Sequence, residues 1–150
     1  MKVVIQRALS SSVAIDGKIN GEIGPGIMIL VGFEAEDNSE DIEWCTKKII
    51  NLRIFDDENG VMNRSILESG GDILVISQFT LMASTKKGNR PSYIKAAAPD
   101  ISIPLYETFK KELSSQLGKE IQCGIFGADM KVSIINDGPV TIIIDTKNRV

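Results

Sequence analysis

The 150-residue sequence predicts an α+β fold, with a mainly antiparallel, barrel-like β-sheet flanked by two helices. Three observations point there. Asp16-Gly17 lies between two strand-like stretches, and both positions tolerate positive φ, the strongest short hairpin signal. The runs Ile27-Met28-Ile29-Leu30-Val31 and Ile73-Leu74-Val75-Ile76 are almost continuously apolar, as buried strands are. Two further stretches repeat their apolar residues at the helical period, which places helices beside a sheet rather than a second sheet.

In chain order, Lys2 to Leu9 reads as a strand that continues extended to Ile15, and Lys18 to Ile23 returns as its hairpin partner. Gly24-Pro25-Gly26 turns the chain into the strand Ile27 to Gly32; these glycines precede no helix and are read as turns. Asn38 or Ser39 caps a helix reaching about Asn51, with Ile42, Cys45, Ile49 and Leu52 on one face. Asp56 to Gly60 is an acidic turn without the ligand spacing of a calcium loop. Gly70-Gly71 precedes a strand expected over Asp72 to Leu81. Met82 to Pro99 is a long basic loop, and loops of that length usually carry function. The second helix is expected to start near Ser102, with Leu105, Phe109, Leu113 and Leu117 inward and Gly118 as its stop. Ile121 to Phe126 and Met130 onward supply the last strands. No repeat, low-complexity tract or linker divides residues 1–150, which read as a single domain.

Composition narrows the chemistry. The chain is 43% hydrophobic and 25% charged, in the range of soluble globular proteins. Its apolar runs are too short to span a bilayer, and Gln6 and Arg7 break up the N-terminal one, so neither a membrane span nor a signal peptide is expected. Cys45 and Cys123 stand far apart, which suits a reducing cytoplasm rather than a disulfide framework. Histidine is absent. That removes Ser-His-Asp and Cys-His mechanisms and His-ligated zinc, and no cofactor is implied. Net charge is −3 with pI near 5.0, against broad nucleic-acid binding. Between Leu81 and Pro99, however, every charged residue is positive: Lys86, Lys87, Arg90 and Lys95.

Two stretches invite a functional reading. In Asn136-Asp137-Gly138-Pro139-Val140-Thr141, a proline without an N–H interrupts strand pairing and leaves bare backbone exposed; an ordinary turn explains the same letters. In Ser77-Gln78-Phe79-Thr80-Leu81, polar residues crowd the end of a strand. Either they alternate along a sheet edge, or their hydroxyls, amide and N–H groups line a pocket.

Together these stretches, with Ile5-Gln6-Arg7, Gly21-Glu22-Ile23-Gly24, Arg53-Ile54-Phe55, Arg90-Pro91-Ser92 and Phe126-Gly127-Ala128-Asp129-Met130, resemble the D-aminoacyl-tRNA deacylases, also called D-tyrosyl-tRNA deacylases. The resemblance covers nearly the whole chain. It implies hydrolysis of the ester joining a D-amino acid to the ribose at the tRNA 3′ end. It implies a homodimer in which Gly138-Pro139 of one subunit, joined by a cis peptide bond, enters the site of the other and excludes L side chains by backbone alone. Broad acceptance of D-residues and of glycine is then expected. The N–H groups of Phe79 and Thr80 are candidates for an oxyanion hole, with Ser77 and Gln78 ordering the wall. Thr80 is either the nucleophile or a positioner of water; the lack of a histidine base favours positioning, helped by the substrate's 2′-hydroxyl. By resemblance Phe126 and Met130 lie near the terminal adenosine, although core packing also explains both. Lys86, Lys87 and Arg90, with Lys95 beside them, are expected to touch phosphates.

Overall fold

The computed structural model describes residues 1–150, and it is the α+β, barrel-like arrangement that the sequence predicts, with a mixed sheet. Strand β1 (Lys2–Ile15) is its spine. Along one edge β1 pairs antiparallel with β3 (Gly26–Gly32) and then, further along, with β2 (Lys18–Ile23); along the other it pairs antiparallel with β8 (Lys131–Asp145). The β1–β2 hairpin turns where expected, with Asp16 at φ 51° and Gly17 at φ 75°. Beyond β3 the pairing becomes parallel, first to β6 (Asp72–Ser77) and then to the short β7 (Gln122–Cys123).

β7 then meets β2 and nearly closes the barrel. Asn20 Nδ2 donates to the Cys123 carbonyl at 2.8 Å. Gly21 makes this approach feasible, because a Cβ there would lie 3.0 Å from the same oxygen.

The apolar runs of β3 and β6 follow from burial on both faces. Ile27, Ile29, Val31, Ile73 and Val75 face the helices, whereas Met28, Leu74 and Ile76 fill the barrel interior with Val13 and Ile23. Helix α1 (Ser39–Asn51) contributes Ile42, Cys45, Ile49 and Ile50 to the main core. The long second helix, α3 (Pro99–Leu117), contributes Tyr106, Phe109, Leu113 and Leu117. It starts three residues before the expected Ser102, with proline at its first turn where no N–H is needed, and stops at left-handed Gly118. A single-turn helix, α2 (Ile66–Ser69), and a small hairpin of β4 (Phe55–Asp56) and β5 (Met62–Arg64) were not expected from the apolar pattern; both are too short to show a period.

Two expected strands are shorter than read. The ladder of β6 ends at Ser77 because its partner β3 ends at Gly32, and Phe79–Met82 wind into a 3₁₀ turn instead of extending to Leu81. Ile121 to Phe126 holds only the two residues of β7. In the sheet β1 and β3 separate β8 from β6, yet the start of β8 comes close to the end of β6, with Val132 on the same cavity lining as Ser77 and Gln78.

At one end of the fold, ionic groups cluster. Asn38 accepts from the N–H groups of Glu40 and Asp41, while the Asp41 carboxylate accepts from the Asn38 N–H at 3.2 Å and from Lys147 Nζ at 2.6 Å. The Met1 ammonium lies buried beside them, 2.5 Å from Asp37 Oδ1. Burial works to raise the Asp41 carboxyl, but hydrogen bonds from Lys147 and Asn38 and the Lys147 charge outweigh it and hold the group below its ordinary value of 3.8. The Asp41 hydrogen bond in turn raises Lys147. A carboxyl lowered on folding adds stability above its unfolded value and loses it as pH falls through the folded one. Asp41→Asn is therefore expected to cost about 1–2 kcal/mol near neutral pH, the scale of a lost helix cap. Urea unfolding of both proteins down a pH series checks this: the gap should narrow on acidification below 3.8.

Candidate active site

The sequence stretch that ends β6 forms one wall of a cavity of about 540 Å³. Its lining includes Gly32, Phe33, Ser77, Gln78, Phe79, Phe126 and Met130. Gly32 positions the 3₁₀ turn: a Cβ there would lie 2.7 Å from the Gln78 carbonyl oxygen, so only glycine lets the turn pack down on the end of β3.

The turn leaves donors unused. Gln78 N–H donates to Val31 O at 2.7 Å, continuing the β3 ladder by one bond, and Leu81 N–H donates to Gln78 O at 3.2 Å. Between them the N–H groups of Phe79 and Thr80 have no acceptor in the protein, as the first donors of a helical turn must. Thr80 itself does not line the cavity. Its Oγ1 accepts a hydrogen bond from Gln78 Nε2, which leaves the Thr80 hydroxyl hydrogen free to donate elsewhere. Ser77 lines the cavity.

Opposite the turn, Phe126 and Met130 close the far side. Phe126 tilts against the Tyr106 ring at 5.8 Å, and the Tyr106 hydroxyl donates to Val75 O at 3.3 Å. Burial raises the Tyr106 phenol above its ordinary range, so it stays neutral. Met130 lies across Gly124, where an added Cβ would fall 2.3 Å from its sulfur. Phe79 is half exposed at the mouth and meets Tyr93 edge-on at 5.1 Å. Cys45 is remote in the core, and burial pushes its thiol up to about 12, which leaves it unreactive.

Gly138 and Pro139 do not line the cavity of their own chain. They sit in a four-residue excursion of β8: Thr141 pairs with Gln6 and Asn136 with Ala8, so Asp137 to Val140 all stand opposite the single residue Arg7. The excursion is exposed at Gly138 and Pro139, and the bond between them is cis. The bulge reading of this proline thus holds over the ordinary turn, within one continuous strand.

Two residues that the sequence motifs contained, but to which they gave no role, build the excursion. Arg7 is buried; its Nε donates to Asp137 O at 3.2 Å and its Nη1 to Ile54 O at 2.7 Å, with Asp56 Oδ1 at 3.3 Å and Asp137 Oδ2 at 3.4 Å as counter-ions. Asn136, with its amide oriented to match its neighbours, donates to Val140 O at 3.1 Å and Arg7 O at 3.0 Å and accepts from Thr141 and Gln6. An arginine at an inward-facing position of a strand was the available signal for the first, since a buried cation needs partners.

Of the expected phosphate contacts, Lys86, Lys87, Arg90 and Lys95 are all exposed and none forms an ion pair. Lys86 and Lys95 line a second depression; Lys87 and Arg90 lie nearer the loop tip, beyond the Ser84–Ser92 bridge. No helix is long and apolar enough to cross a membrane.

Comparison with known proteins places this geometry. A family model described as D-Tyr-tRNA(Tyr) deacylase matches residues 4–145. The chain is 68% identical over 149 residues to a protein of Bacteroides thetaiotaomicron named D-aminoacyl-tRNA deacylase, covering 99% of each. It is 60% identical, over 99% of each, to one of the same name from Flavobacterium johnsoniae. Among solved structures, one named "c-Myc DNA Unwinding Element Binding Protein" aligns with a TM-score of 0.92 at 39% identity, covering 97% of this chain and 98% of that one. A probable eukaryotic D-amino acid tRNA deacylase aligns at 0.81 and 18% identity, covering 95% of this chain and 97% of that one, a likeness of fold. Since the family model spans residues 4–145 and relatives of this identity match end to end, the chain belongs to the D-Tyr-tRNA(Tyr) deacylase family.

Proposed function

We propose that the protein hydrolyses the ester between a D-amino acid and the 3′-terminal ribose of tRNA, releasing free tRNA and D-amino acid, and that it also clears glycyl-tRNA. Beside the family membership, the observation that carries this reading is the pair of unpaired N–H groups at Phe79 and Thr80, held at the edge of a largely apolar cavity. Such a pair suits the oxyanion that forms when water attacks an ester carbonyl, and one donor of this kind is typically worth about 3–4 kcal/mol of barrier.

An aminoacyl ester is already activated, so placement supplies much of the rest. Water attacks the carbonyl carbon, the bond to the ribose 3′-oxygen breaks, and that oxygen takes up a proton. With no histidine in the chain, the substrate's neighbouring 2′-hydroxyl relays the proton. Thr80, its oxygen already engaged by Gln78, positions the water, while Ser77 and Gln78 order the wall. Phe126 and Met130 flank the terminal adenosine, whose flat faces suit an aromatic ring and a polarizable sulfur. The unpaired charges of Lys86, Lys87 and Arg90 attract the RNA phosphates. The compartment of such a substrate is the cytoplasm.

Stereochemical choice falls to Gly138 and Pro139 of a second copy in a homodimer. Their position outside their own cavity, their exposure and their anchoring by Arg7 and Asn136 support this, as do the exposed Ile135 and Ile143 on the same strand. A main chain placed over the substrate's α-carbon collides with an L side chain and leaves room for a hydrogen or a D side chain. Binding to a DNA element, for which the 39%-identical protein is named, is less well supported by a chain of net charge −3.

Release of amino acid from D-tyrosyl-, L-tyrosyl- and glycyl-tRNA, assayed side by side, tests the reading. The D and glycyl esters should be cleaved and the L ester spared; cleavage of the L ester at the D rate would sink it. Thr80→Ala separates the two roles of the hydroxyl. Loss of turnover by a few fold is expected for a positioner, whereas abolition would make Thr80 the nucleophile.

A further inference from the structure

The cavity has a neighbour. A second depression of about 530 Å³ has Glu34, Met82, Ser84, Thr85, Lys86 and Lys95 in its lining. The two share three walls. Phe33 lines the cavity and Glu34 the depression; Gln78 and Phe79 line the cavity and Met82 and Ala83 the depression; Ala96 lines the cavity and Lys95 the depression. A bridge from Glu34 to Ala96 ties two of these walls together. Phe79, on the cavity lining, meets the exposed ring of Tyr93 edge-on.

The charges of the depression are unequal in kind. Lys147 is committed to Asp41 at 2.6 Å and Asp37 at 3.8 Å, and Lys2 lies 3.9 Å from Asp145. Lys86 and Lys95 form no ion pair, and Ser84 and Thr85 lie on the same lining. Unpaired cations beside hydroxyls suit a phosphate backbone, and exposed aromatic rings suit unpaired bases; single-stranded nucleic acid is the ligand that needs both.

Resting on the proposed reading of the cavity, we propose that the single-stranded 3′ arm of the substrate RNA leaves the cavity across Phe79 and Tyr93 and lays its phosphates in this depression against Lys86 and Lys95. A base stacks on Tyr93 as the strand crosses from cavity to depression. A paired stem offers neither free base faces nor a chain narrow enough to follow this path, so the grip is on the unpaired nucleotides. The net-negative protein thus holds RNA through a short local track.

Fluorescence anisotropy with uncharged tRNA, and with tRNA lacking its unpaired 3′-terminal nucleotides, tests the track. Lys86→Gln/Lys95→Gln should weaken binding of intact tRNA on the order of ten-fold and reduce the salt slope by about 1.4, two single-strand phosphate contacts. Tyr93→Ala should weaken it by a similar factor, the scale of one base stack. Neither should further weaken the truncated RNA. Lys18→Gln/Lys111→Gln, an equal charge loss at exposed positions away from the depression, should leave the slope within a few tenths of the unaltered protein's. Equal losses in both double variants, or equal losses on intact and truncated RNA, would overturn the track. Circular dichroism checks that each variant is folded. Failure of the hydrolase reading shows separately, as no amino acid released from D-aminoacyl-adenosine or D-aminoacyl-tRNA by the unaltered protein, and the binding result stands either way.

Discussion

The guanidinium of Arg7 is the constraint on which the exposed excursion of β8 depends. It lies inside the fold, and a buried cation must be fully engaged or it destabilises its surroundings. Arg7 meets that demand with the carbonyls of Asp137 and Ile54 and the carboxylates of Asp56 and Asp137. In doing so it fixes a four-residue excursion of β8 opposite one residue of β1. Without such an anchor, an exposed glycine and proline in a strand would have no reason to hold one position. Asn136 closes the base of the excursion, so the segment is held from two sides.

The second functional stretch uses the opposite device, a ladder that runs out. β3 ends at Gly32, β6 loses its partner after Gln78, and the chain turns before the next donors are paired. The missing side chain at Gly32 lets the turn sit close. In both places the groups left exposed belong to the backbone. On the proposed reading this suits a chemistry that acts on many side chains, since backbone groups would meet the ester and the α-carbon rather than the residue attached to them. On the same reading, the work of a hydrolytic site in a chain with no histidine falls on placement and on fixed dipoles.

Most of the scaffold was legible in the letters. Asp16-Gly17 specified its hairpin, Asn38-Ser39 its helix start, with Asn38 the cap, and Gly118 its helix stop, each because a local rule of backbone geometry decides the position. What the letters could not show depends on partners distant in sequence. The end of β6 was set by the length of β3, so Ser77 to Leu81 read as strand when only Ser77 is. The parallel pairing of β3 with β6 left no mark distinct from an antiparallel core strand, since burial on both faces makes either kind apolar throughout. The candidate stretches stood out by residue type and their roles by resemblance; the geometry around them, from the Gln78–Thr80 hydrogen bond to the Arg7 anchor, needed coordinates. The four cations of the basic loop looked equivalent in sequence, and only the fold separates Lys86 and Lys95 from Lys87 and Arg90.

The central claim is that main-chain groups of two segments, one from each of two copies, meet around a single ester. A crystal structure with a non-hydrolysable D-aminoacyl analogue of the 3′-terminal adenosine tests it most directly. The expected result puts the analogue's carbonyl oxygen about 3 Å from the N–H groups of Phe79 and Thr80. It also puts Gly138 and Pro139 of a second copy against the α-carbon. An analogue bound elsewhere, or bound in the cavity with no main chain of another copy near its α-carbon, would contradict the account.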